Sequence, residues 1–90
     1  MYHYVYMLRS VKKNKIKTYV GYTNNIPRRL QAHNSGKGAK STRGRFWNII
    51  FKRRFLNKNS ALKAEYLIKN NKILRNKIKK KPNFAGKLCI

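Results

Sequence analysis

Aspartate is absent from this chain, and glutamate occurs once, at position 65, against 24 lysines and arginines. Any chemistry that needs a protein carboxylate therefore falls to Glu65. Cysteine also occurs once, as Cys89, which excludes an intrachain disulfide and a cysteine-based zinc site. No apolar run approaches the roughly 20 residues of a membrane-spanning helix. Met1 to Arg9 is short and alternating, unlike a basic patch followed by an apolar core, so no signal peptide is expected. There are no internal repeats and no linker. The 90 residues are expected to form one domain, with residues 80–90 as a loose tail or an edge segment. An intracellular protein is expected, cytoplasmic and nucleoid-associated.

What the chain has in excess is positive charge. The formal net charge is +23 and the isoelectric point near 11.1. Such a surface attracts polyanions, with phosphate contacts supplying the affinity. Lys, Asn, Ile and Tyr share AT-rich codons, so genome composition contributes to the excess, but the surface physics is the same whatever its origin. Hydrophobic residues make up 41% and aromatic residues 12%, more than a basic disordered tail carries. A chain this short buries only roughly 60% of its unfolded surface, so the core is small and single.

Tyr2 to Leu8 alternates aromatic and branched residues and predicts a strand. Tyr2, Tyr4, Tyr6 and Leu8 face one way, and His3, Val5, Met7 and Arg9 the other. Ser10 to Lys15 is polar and predicts a long turn into a second strand, Ile16 to Tyr22. Gly21 inside that strand marks a bulge or a close approach. An Asn cap and Pro27 predict a helix from Ile26 to His33, with Arg28 and Arg29 projecting from its first turns. Gly36 to Arg45 predicts a basic, small-residue loop, either simply solvated or able to lie close to a phosphodiester backbone. Phe46 to Phe55 predicts a third strand. Asn57 to Ser60 caps a further helix, and a last helical stretch carries Ile73, Leu74 and Ile78 before Lys79-Lys80-Lys81-Pro82 stops it.

Glu65 lies in the helix after Ser60, on one stripe with Ala61, Ala64 and Ile68 at helical spacing. A carboxylate beside an apolar layer is costly unless paired. Two partners satisfy it: a neighbouring Lys or Arg, or a bound cation.

The ordered set Tyr4-Val5-Tyr6, Tyr19-Val20-Gly21, Arg29, His33 and Glu65 resembles the GIY-YIG nuclease superfamily, and within it the small stand-alone bacterial (YhbQ-like) group. Tyr19 to Asn34 is similar to that family's second motif and its helix. Gly36 to Arg43 is similar to the stand-alone group's loop, and Ala61 to Glu65 with Ile68-Lys69 to its acidic helix. The likeness runs from residue 2 to about residue 70. It implies an α+β fold, a small three-stranded antiparallel sheet flanked by helices, in agreement with the residue-level order of elements.

It also implies a divalent-metal-dependent endonuclease that hydrolyses DNA phosphodiester bonds. On this resemblance Glu65 holds one Mg²⁺ or Mn²⁺, Arg29 binds the scissile phosphate, and Tyr6 and Tyr19 sit near the attacking water. Either phenol is a candidate general base, with an ordinary pKa of about 10 to overcome. His33 positions or protonates the leaving oxygen, or is a buried structural residue. Arg28, Lys37, Lys40, Arg43 and Arg45 are expected to contact nucleic acid. The chain departs from the pattern in carrying Tyr4 where the first motif has glycine, and no asparagine is assigned to the site, although Asn76 and Asn83 fall in the right region. No base-reading module is visible, so cleavage is expected to be directed by structure, such as branches or nicks, in repair or recombination, with RNA as a further ligand and a protein partner as a source of targeting. The competing class is a basic protein that binds DNA or RNA on a nuclease fold with weak or no catalysis. Against it stands the joint retention of Tyr6, Tyr19, Arg29 and Glu65.

Overall fold

The computed structural model describes residues 2–80. The first two elements form a hairpin, β1 (His3–Lys12) and β2 (Lys15–Thr23), in continuous antiparallel register with Tyr6 opposite Gly21. The long turn expected over Ser10 to Lys15 is not formed. The reversal is made by two residues, Lys13 and Asn14, both in the left-handed region at φ 51° and 63°, the backbone that two-residue hairpin turns require. The ladder thus runs past the core, where Val11 and Ile16 stay exposed. The extension is propped from outside: Arg45 donates from Nε to Ser10 Oγ at 3.2 Å and from Nη2 to the Lys15 carbonyl at 3.0 Å, and Lys12 Nζ donates to the Gly44 carbonyl at 3.0 Å.

The third strand, β3 (Asn48–Phe55), pairs antiparallel with the other edge of β1, giving the order β2-β1-β3 with an irregularity opposite Met7/Leu8. It starts two residues later than the sequence predicts. Phe46 is exposed, and Trp47 is held outside the ladder: its N–H donates to Asn34 Oδ1 at 2.6 Å and its Nε1–H to the Thr42 carbonyl at 2.8 Å.

Helix α1 (Ile26–Asn34) covers one face of the sheet, where Tyr6, Leu8 and Trp47 are buried together with partly buried Tyr19, Ile26 and Leu30. Helices α2 (Lys58–Lys69) and α3 (Lys72–Lys80) cover the other, over Val5, Met7, Val20 and Phe51. Val5 to Leu8 is consequently buried on both faces. The α+β arrangement is the expected one: a three-stranded antiparallel sheet flanked by helices.

Side-chain caps set where the helices begin. Asn25 accepts from Arg28 N at 3.1 Å, with Pro27 in the first turn. Asn57 accepts from Asn59 N and Ser60 N at 2.7 and 3.3 Å, so α2 starts at Lys58, ahead of Ser60. In α3, Ile78 is buried and Leu74 packs beside it, an i,i+4 pair, whereas Ile73 is exposed. The readings placed on Lys81, Pro82 and Asn83 to Ile90 lie outside the described residues. Among the described residues no helix is long and apolar enough to cross a membrane.

Candidate active site

Tyr6 stands at the centre of the middle strand, directly opposite Gly21. The register of β1 and β2 carries no bulge, so Gly21 serves a close approach. A Cβ there would lie 2.6 Å from Tyr6 Cζ and 2.9 Å from Tyr19 Cε2, closer still to the Tyr6 hydroxyl. The missing side chain lets the Tyr6 ring lie across β2. Tyr19, two residues along the strand, faces the same way as Tyr6's diagonal neighbour; the ring centroids are 6.3 Å apart.

Above them, α1 supplies Arg29 and His33, one turn apart on the face that packs on the sheet. The Tyr6 hydroxyl lies 2.8 Å from His33 Nε2, and His33 Nδ1 lies 2.9 Å from Thr42 Oγ1. The Tyr19 ring is 4.9 Å from the imidazole. Tyr6 is 2% exposed and His33 and Thr42 are fully buried, while Tyr19 and Arg29 are half-buried. Gly38 completes the pocket: a Cβ there would be 2.5 Å from His33 Nδ1 and 2.9 Å from His33 Cα. His33 therefore sits behind the phenols, and the expected direct contact with a leaving oxygen is not open to it from this depth.

Burial dominates the electrostatics. It pushes the Tyr6 phenol up to about 12, against the pull of Arg29's hydrogen bond and with smaller upward pushes from Tyr19 and the Glu65 carboxylate. Arg29 is held above its ordinary value, first by its hydrogen bond with Tyr6, with Tyr19 adding to it. Burial, then the Arg29 charge, holds His33 below the usual imidazole value. The resting site thus has neutral Tyr6, neutral His33 and a charged guanidinium that acts on both phenols.

Arg29 also faces a groove of about 410 Å³ that is walled by Tyr22, Thr23, Arg28, Ala32 and Lys58. Three cations on two helices line it. Lys58, the first residue of α2, was not singled out by sequence reasoning; it sits in a solvated-looking Asn-Lys-Asn cap cluster with no periodicity to mark it. Tyr22, on the opposite side of β2 from Tyr19, accepts or donates at 2.6 Å with His3 Nδ1.

Glu65 faces out from the edge of α2's apolar stripe, where Ala61, Ala64 and Ile68 are buried. Its side chain is one-fifth exposed and its Oε2 lies 3.6 Å from Lys69 Nζ, so the basic-neighbour alternative is realised. That separation is longer than a charge-assisted hydrogen bond of about 2.8 Å, and an i,i+4 pair of this kind contributes only about 0.3–0.5 kcal/mol. The oxygens keep most of their capacity to bind a cation. No group of three or more His, Cys, Asp or Glu occurs among the described residues, so these offer no closed metal cage. A single hard-oxygen donor fits Mg²⁺ or Mn²⁺, which keep several waters and take further ligands from a substrate's phosphate.

The loop residues divide. Lys37, Lys40 and Arg43 are exposed around a short 3₁₀ turn (Lys40–Thr42), and Arg28 is exposed at the groove. Arg45 is half-buried, its guanidinium committed to the hairpin. Asn76 lies on α3, among none of the groups above, and Asn83 is outside the described residues. Thr42 was missed by sequence reasoning, its hydroxyl hidden inside a stretch that reads as a basic loop.

The profile of the GIY-YIG catalytic domain matches residues 2–80. A UPF0213 protein of Oceanobacillus iheyensis is 48% identical over 68 residues, covering 74% of this chain and 76% of the relative. One from Clostridium perfringens is 43% identical over 75 residues, covering 82% and 75%. The solution NMR structure of the UPF0213 protein BH0048 from Bacillus halodurans is 38% identical, covers 86% of this chain and 80% of that one, and superposes with a TM-score of 0.48.

Proposed function

The chain belongs to the GIY-YIG catalytic domain family, in its small stand-alone group, and on that footing we propose that it is a divalent-metal-dependent endonuclease hydrolysing DNA phosphodiester bonds. A nuclease domain acts on nucleic acid; the choice of DNA, the metal and a role in repair or recombination are parts of the proposal. The observation that carries it is the convergence of two phenols, a buried imidazole and a guanidinium behind a cationic groove.

Arg29, Arg28 and Lys58 line that groove and would hold the backbone phosphate, with Arg29 countering the charge that builds up in the transition state. A phosphate in the groove would share the Arg29 guanidinium with Tyr6, which brings the phosphate and the attacking water up to the phenol. Tyr6 is the phenol with an acceptor at its back, His33 Nε2, and we assign it the proton exchange; Tyr19, half-buried beside it, orients the water. A phenol held at about 12 costs roughly 5 kcal/mol to ionise at pH 8. The proton therefore needs both an acceptor and an oncoming positive charge. Glu65 is the residue that would hold Mg²⁺ or Mn²⁺, and the ion, when bound, would supply polarisation of the phosphate and of the water.

No base-reading element is apparent among the described residues, so cleavage is directed by the shape of the backbone, such as a branch or a nick. A binding-only protein has the +23 charge in its favour. It gives no reason for a buried Tyr6–His33–Thr42 chain or for the two glycines that make room for it. The test is cleavage of supercoiled plasmid and of a synthetic branched duplex, with and without Mg²⁺ or Mn²⁺, beside Glu65→Gln. Metal-dependent cleavage that Glu65→Gln abolishes supports the proposal; salt-sensitive binding by both proteins with no cleavage of any substrate overturns it.

A further inference from the structure

We infer that Thr42 is a positioning residue of the site: its hydroxyl fixes His33 in the tautomer with hydrogen on Nδ1, leaving Nε2 as the proton acceptor for Tyr6. The inference rests on the reading of Tyr6 as the group that exchanges a proton, but its structural half stands without it.

A threonine hydroxyl has one hydrogen to donate and lone pairs to accept with. Thr42 Oγ1 lies 2.7 Å from the Ala39 carbonyl oxygen, which can only accept. The hydroxyl hydrogen is therefore spent there. What Thr42 turns toward His33 Nδ1, 2.9 Å away, is a lone pair, so Nδ1 must carry the hydrogen. A neutral imidazole with hydrogen on Nδ1 has its free lone pair on Nε2, and Nε2 faces the Tyr6 hydroxyl at 2.8 Å. Hydrogen-bond direction then runs one way through the chain, from Tyr6 to His33 to Thr42 to Ala39. The opposite tautomer would set the Nδ1 lone pair against the Thr42 oxygen in a fully buried place, or turn the hydroxyl away from the Ala39 carbonyl and give up the 2.7 Å bond, leaving that oxygen only the longer one from the Thr42 N–H. The depressed basicity of His33, from burial and from Arg29, agrees with a neutral ring at rest.

Thr42 is itself held. Its N–H donates to the same Ala39 carbonyl at 3.0 Å, and its own carbonyl accepts from Trp47 Nε1 at 2.8 Å. Gly38 lets this turn close onto the imidazole edge. The lock is thus built from the loop whose exposed Lys40 and Arg43 flank Thr42.

The proton step balances within the chain. The Tyr6 O–H bond breaks and an N–H bond forms at His33 Nε2. The phenolate keeps the Arg29 guanidinium beside it, and the imidazolium donates from both nitrogens, to the phenolate and to Thr42. The groups facing this pair are Arg29 and His33's own helix on one side and Tyr19 on the other, with Glu65 acting on Tyr6 at longer range.

The experiment compares wild type, Thr42→Val and Thr42→Ser. Imidazole ¹⁵N shifts of His33, separated from those of His3 by His3→Gln, read the tautomer directly. Wild type and Thr42→Ser are expected to show hydrogen on Nδ1, and Thr42→Val a mixture or the opposite form. In cleavage assays Thr42→Val should lose roughly 10- to 100-fold in kcat with DNA affinity unchanged, and Thr42→Ser should recover most of it. A wild-type ring with hydrogen on Nε2, or a folded Thr42→Val that keeps the wild-type tautomer, overturns the inference. A changed tautomer with unchanged kcat overturns the positioning role. Absence of cleavage by the wild type with the predicted tautomers in all three proteins refutes the nuclease reading and leaves the hydrogen-bond lock standing.

Discussion

At the residue scale the site is a matter of room and of protons. Gly21 exists to seat Tyr6, so Gly21→Ala must push either the ring or strand β2. Overpacking of this kind costs about 1–3 kcal/mol, which for a domain of this size lowers the melting temperature by roughly 5 °C or more; thermal melts of the variant against wild type check it. Tyr6 gives a pH signature. Its folded value of about 12 lies above the unfolded value of about 10, so its contribution is intact below pH 10 and is lost as pH rises through 12. Denaturant unfolding between pH 9 and 12 should show wild type losing about 2 kcal/mol more than Tyr6→Phe; parallel curves would mean that the phenol is not buried as described. His33 has the opposite sign: held below its ordinary value, it stabilises the fold above about pH 6.5 and ceases to do so as the pH falls through its folded value. Local position in the sequence marks only Gly21 in its strand, the helix start at Asn25 and Pro27, and the only acid; Tyr6, Tyr19, Arg29 and His33 were singled out by the resemblance, and the structure brings these four side chains into one cluster. Thr42 and Lys58 were not singled out, because their roles come from tertiary contacts that no local spacing encodes.

At the scale of elements, α1 and the loop after it matter most, since together they carry Arg29, His33 and Thr42. Asn25 caps α1 three residues before Arg28. Asn25→Ala should cost about 1 kcal/mol of stability, and cleavage should fall further than stability does, because the first turn that frays holds the phosphate-facing arginines; parallel melting and cleavage assays measure both. The helices were readable from their Asn caps and from the Ala61–Ala64–Ile68 stripe. The hairpin was not. Ser10 to Lys15 carries the composition of a turn, yet the ladder continues through it because Arg45 of a distant loop donates to Ser10 and Lys15, and Lys12 of the hairpin donates to that loop's Gly44 carbonyl, propping a strand with no core beneath it. The β3 start was misplaced for a related reason: Trp47 has a strand-like side chain, but its backbone bond goes to Asn34.

At the scale of the molecule, 24 basic residues against one acid set the association physics. Binding to DNA should weaken linearly in log–log salt plots by about 0.9 per phosphate neutralised, and Arg28→Ala should reduce that slope by about one without changing preference among sequences. The same field repels a free dication, so Glu65 should bind Mg²⁺ weakly until a phosphodiester supplies opposite charge; tight calorimetric binding to the DNA-free protein would contradict this. The central claim is that the cluster around Arg29 breaks phosphodiester bonds and does not merely hold them. Single-turnover cleavage of a labelled branched duplex by wild type and Arg29→Ala, at protein concentrations that saturate both, tests it most directly. The prediction is metal-dependent cleavage by wild type and at least a 100-fold slower rate for Arg29→Ala at equal occupancy. Equal occupancy with equal rates, or with no cleavage by either protein, would contradict it.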